Sequence, residues 1–135
     1  MTRFLGVDYG TKRVGLALSD GLGITARPLE VVKRSDAVDR IKAVTNEYEV
    51  SVVVIGMPTG LSGGEGVSAA GARELGAELS DTLGVTVKYL DERFTSRIAE
   101  SSLLESGMRR RERRATVDKV AAAIILQDYL DSRSR

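Results

Sequence analysis

A chain of 135 residues with a formal net charge of +1 fits one domain that buries about two-thirds of its unfolded surface, and it carries no global charge that draws it to nucleic acid. It contains neither cysteine nor histidine, which excludes disulfides, thiolate nucleophiles, most structural zinc sites and every Ser-His-Asp arrangement. Carboxylates and hard metals remain as a hydrolase's tools; with no signal segment and no apolar run near the ~20 residues of a membrane span, a soluble cytoplasmic protein is expected.

The first predicted elements are two apolar runs, residues 3–8 and 14–19, joined by a turn through Gly10. Asp8 stands at the mouth of this hairpin. A carboxylate there suits a divalent metal, while the turn backbone and the cations Lys12 and Arg13 suit phosphate oxygens. Asp20-Gly21-Leu22-Gly23 supplies a second turn into a third antiparallel strand, Ile24 to Val32. Pro28 lacks an N–H and places that strand at the sheet edge.

Ser35 is the expected N-cap of a helix in which Val38, Ile41, Val44 and Tyr48 recur at helical spacing. The β-branched run from Val50 to Gly56 reads as a central strand beside parallel neighbours. A glycine-rich loop over 56–66 then leads into a helix from Val67 to Leu83, stopped by Gly84. The loop lacks the Gly-Lys-Ser/Thr ending of a P-loop. Val85 to Leu90 forms another strand ending at Asp91-Glu92-Arg93. Thr95 or Ser96 caps a helix to about Gly107, and Thr116 caps a last helix with Asp118 in its first turn.

The order βββαβαβαα predicts an α/β fold. Its mixed five-stranded sheet consists of a three-stranded antiparallel meander plus parallel strands, with helices on both faces. The carboxyl ends of the parallel strands share one edge, where Asp8 and Glu92 converge and Asp118 reaches them from a helix laid across it. Three carboxylates so close repel unless a cation intervenes, which argues for one or two Mg²⁺ or Mn²⁺ ions acting on a phosphodiester without histidine. Other readings stand beside this one. Asp8 is also a common turn-capping type, Asp118 also suits a helix dipole, and Asp91 with Glu92 also reads as a solvated pair beside Arg93. The run Arg109-Arg110-Arg111-Glu112-Arg113-Arg114 reads as a nucleic acid backbone contact or as a solvated loop.

Four motifs in order, Asp8-Tyr9-Gly10-Thr11-Lys12-Arg13-Val14-Gly15-Leu16-Ala17, Gly56-Met57-Pro58, Asp91-Glu92-Arg93-Phe94-Thr95-Ser96 and Val117-Asp118-Lys119-Val120-Ala121-Ala122, resemble the YqgF/RuvX family across essentially the whole chain. The resemblance implies a single RNase H-like domain over 1–135, related to Holliday junction resolvases, and a nuclease that processes the 5′ end of pre-16S ribosomal RNA. It carries the family's catalytic and metal-binding acids onto Asp8, Glu92 and Asp118, with Asp91 as a neighbour. Lys12 and Arg93 become phosphate contacts beside Arg13, Arg109, Arg110 and Arg111. Branched DNA is the alternative substrate. A non-catalytic RNA-binding assembly factor and an actin-like ATP-binding protein are readings of another class. A resolvase acting symmetrically needs a homodimer and an end-processing nuclease does not, so monomer and homodimer both stay open.

Overall fold

The computed structural model describes the backbone of residues 3–57, 67–91 and 110–133, and the side chains of 3–57, 69–90 and 119–133. Its strands are β1 (Arg3–Tyr9), β2 (Arg13–Ser19), β3 (Ala26–Lys33), β4 (Val50–Met57) and β5 (Thr86–Asp91). Its helices are α1 (Ala37–Tyr48), α2 (Val67–Leu83) and α3 (Arg110–Arg133). The strands form one sheet in the order β3-β2-β1-β4-β5. The β1–β2 and β2–β3 pairs are antiparallel, and β1–β4 and β4–β5 are parallel. The expected meander and parallel strands are therefore present, with Pro28 on an edge strand, beside a register shift opposite Leu16 and Ala17.

Period-two alternation divides β1 between two cores. Leu5 and Val7 point to one side, where Val14, Leu16, Val53 and Ile55 join Ile41 and Val44 of α1 and Leu75 and Leu79 of α2. Phe4 points to the other, where Ala17 and Val54 pack on Ala122, Ile125, Leu126 and Leu130 of α3. A Cβ at Gly6 would stand 2.7 Å from the Leu126 Cβ and 2.8 Å from the Ala122 carbonyl oxygen. The missing side chain is what lets α3 lie so close to β1.

Helix α2 has the predicted bounds. Gly84 closes it at φ 67°, with its N–H donating to the Ser80 carbonyl at 3.0 Å, a left-handed cap that other residues adopt at a cost. Two expected caps are corrected. Ser35 lies inside a 3-10 turn, Arg34–Asp36, and α1 starts after Asp36 without a side-chain cap; the turn's own backbone bond makes the transition. Thr116 is interior to α3, which is already helical at Arg110. Arginine, glutamate and alanine are strong helix formers, so the cationic run extends the helix rather than breaking it. Arg110 and Arg111 thus lie on the helical backbone of α3. The expected strand end at Glu92, the helix from Thr95 to Gly107, Arg93, Arg109 and the glycine-rich loop over 58–66 lie outside the described residues.

Candidate active site

Asp8 is the penultimate residue of β1, half-buried at the sheet's carboxyl edge. Its in-register neighbours are Gly15 on β2 and Gly56 on β4. Cross-strand partners share a face, so neither strand beside Asp8 puts a side chain next to its carboxylate. By alternation with Phe4 and Gly6, Asp8 belongs to the face that α3 covers.

The direction of α3 then brings position 118 toward Asp8. Near the start of β1, the Phe4 ring lies 5.9 Å from that of Tyr129, and the Arg133 guanidinium stacks 4.6 Å from the Phe4 ring centre. Two residues along the strand, Gly6 meets Leu126 and Ala122. The helix therefore runs antiparallel to β1. One further strand step of two residues covers about 7 Å, and one further helical turn covers about 5.4 Å. Continued at that pitch, the helix would bring the backbone of Asp118 level with Asp8. Because α3 starts no later than Arg110, Asp118 stands beyond its first turn, and the helix-dipole account of this acid no longer applies.

Asp91 ends β5 opposite Met57, one position past the row that holds Gly56 and Asp8. Two strand spacings separate β1 from β5, about 10 Å. Glu92 follows, outside the described residues. Among the described residues no three acids converge on one point, and Asp8 is the one predicted ligand whose side chain is described. Its setting fits a hard cation: an oxygen donor at a strand end, flanked by glycines, in a chain without thiol or imidazole.

The turn after Asp8 carries an exposed Lys12 and a half-buried Arg13. It is tied to the far end of the meander, where the Arg34 N–H donates to the Lys12 carbonyl at 2.9 Å. Arg34 also donates from Nε to the Tyr9 hydroxyl at 3.4 Å. Sequence reasoning passed over Tyr9, Lys33 and Arg34. The signal that finds them is register, since pairing β2 with β3 brings Lys33 opposite Arg13.

Comparison with known proteins places the family and the fold. The family model described as "RuvX: Holliday junction resolvase" matches residues 2–132. The chain belongs to the RuvX family. A relative from Anaeromyxobacter sp. is 46% identical over 97% of this chain and 98% of its own length. One from Lactococcus lactis subsp. cremoris is 42% identical over 98% and 96%. Both carry the name "Putative pre-16S rRNA nuclease". Among solved structures, T. thermophilus RuvC in complex with a Holliday junction substrate superposes with a TM-score of 0.60 at 20% identity, covering 99% of this chain and 96% of that one. RuvC alone gives a TM-score of 0.56. The RNase H-like α/β fold of the family is thus the fold of this chain.

Proposed function

We propose that this chain, a phosphodiester-hydrolysing enzyme by family, is one domain over 1–135 that processes the 5′ end of pre-16S rRNA in the cytoplasm. The observation that carries the reading is Asp8, set between two glycines at the carboxyl edge of the sheet on the face that α3 covers. Asp8, Glu92 and Asp118 are the residues that would hold one or two Mg²⁺ or Mn²⁺ ions. Such ions supply Lewis-acid stabilisation of phosphate charge and acidify water. The chain's own cations do the rest: Lys12, Arg13 and Arg93 hold the phosphates beside the cut, and Arg109, Arg110 and Arg111 hold the backbone further out.

The family's description favours a second substrate, branched DNA. A side-by-side assay on a pre-16S 5′ fragment and a four-way junction, with Mg²⁺ or Mn²⁺ and an Asp8→Asn control, separates the two. RNA cleavage that the variant lacks supports the proposal. Cleavage of the junction alone assigns the DNA substrate instead.

A further inference from the structure

The meander brings a second pair of cations to the edge that holds Asp8. Lys33 ends β3 directly opposite Arg13 of β2. Arg13 lies two positions from Gly15, the partner of Asp8. Alternation therefore places Asp8, Arg13 and Lys33 on one face of the sheet, the face α3 covers. Lys12 and Lys33 are both exposed, and neither pairs with an acid among the described residues.

Arg34 follows Lys33 but sits on the opposite face, against Tyr9 on the side of α1 and α2. Its backbone N–H joins β3 to the β1–β2 turn at Lys12, and its guanidinium lies 5.4 Å from the Tyr9 ring centre. Tyr9 is seated in turn against Gly71 of α2, where a Cβ would fall on the phenol hydroxyl. The single Nε bond leaves other guanidinium donors for a ligand. Of the nearby acids, Asp36 is exposed in the following turn, and Glu30 is committed to Arg40.

We infer that Lys33 and Arg34, together with Lys12 and Arg13, form a rim that binds the phosphodiester backbone on the β3 side of Asp8. The inference rests on the nuclease reading and adds a direction to it: the substrate leaves the site across β2 and β3. Two strand spacings put β3 about 10 Å from β1, and the two-residue offset between Gly15 and Arg13 adds about 7 Å along the strands, so the Lys33 backbone stands about 12 Å from that of Asp8. Lys33 thus meets phosphates beyond those at the cut.

The test is a salt series of binding to a pre-16S 5′ RNA fragment and to a four-way DNA junction, with divalent ions chelated. The variants are Lys33→Gln, Arg34→Gln and, as a control, Arg27→Gln, an exposed cation at the opposite end of β3. Each rim variant weakens binding about threefold and lowers the log–log salt slope by about one, and the control does neither. With metal added, Lys33→Gln raises KM and leaves kcat unchanged. An effect on either nucleic acid supports the rim, and an effect on one of them alone also names its substrate. Equal effects from Arg27→Gln and Lys33→Gln, or an unchanged slope, overturn it. Cleavage by Asp8→Asn overturns the catalytic reading instead, and the salt slopes still judge the rim.

Discussion

The two edges of the sheet use their polar groups in different ways. At the amino edge they are spent within the protein. Ser19 is 1% exposed; its hydroxyl accepts the Phe4 N–H at 2.8 Å and donates to the Asp20 carbonyl at 2.9 Å. The Asp20 carboxylate accepts the Ile24 N–H at 2.8 Å. Gln127 of α3 clamps the start of β3, accepting from the Ala26 N–H and donating to the Ile24 carbonyl, both at 2.9 Å. At the carboxyl edge stand Asp8, Lys12, Arg13, Lys33 and Arg34; strand register, the Arg34–Lys12 backbone bond and the Arg34–Tyr9 contact tie this edge, and Asp8 and Arg13 are engaged within the protein as well. What sets it apart is a pair of exposed lysines, Lys12 and Lys33, that meet no acid among the described residues.

The sharpest way to break this division is Gly6→Ala, because Gly6 sets how closely α3 lies on β1. The added methyl costs about 1–3 kcal/mol by overpacking. It also moves the 118 turn away from Asp8, so both melting temperature and cleavage fall. Ser19→Ala acts on the amino edge alone. It leaves the buried Phe4 N–H unpaired, at about 1–3 kcal/mol, which thermal denaturation reads, and kcat is unchanged where the protein is folded. Lys33→Gln acts on the carboxyl edge alone, with the roughly threefold loss of binding described above and an unchanged melting temperature.

Asp20→Asn has the smallest effect, and it depends on pH. The Ile24 N–H, more than any other contact, holds the Asp20 carboxyl below its usual value. A depressed carboxyl stabilises the fold above its unfolded-state pKa, and that stabilisation is lost as pH falls through the lower folded value. The difference in melting temperature between wild type and Asp20→Asn therefore shrinks on acidification below about pH 4. A constant difference would assign the effect to hydrogen-bond geometry rather than charge.

The elements were legible wherever periodicity and a stop signal coincided, as in α2, where apolar spacing from Val67 ends at Gly84. Pro28 marked the edge strand for an equally local reason, the missing donor. The misreadings came where one local signal competed with another. Ser35 has a cap's chemistry but sits in a 3-10 turn that needs none. The arginine run looked like a solvated loop by charge, yet its helix propensity carries α3 back to Arg110, and this changes the environment of Asp118. The acids at the edge were visible as types at strand ends. The glycine flanks of Asp8 and the rim at Lys33 and Arg34 depend on cross-strand register, which no single stretch of chain encodes.

The proposed division of labour gives the carboxyl edge around Asp8 the chemistry and leaves the fold to the rest of the sheet. Cleavage of a pre-16S 5′ fragment with Mg²⁺ or Mn²⁺, measured alongside thermal melts for wild type and Asp8→Asn, decides it. Wild type is expected to cleave, and the variant to show background activity at a matching melting temperature. Equal cleavage by both proteins, or a variant that loses activity only because it unfolds, would contradict it.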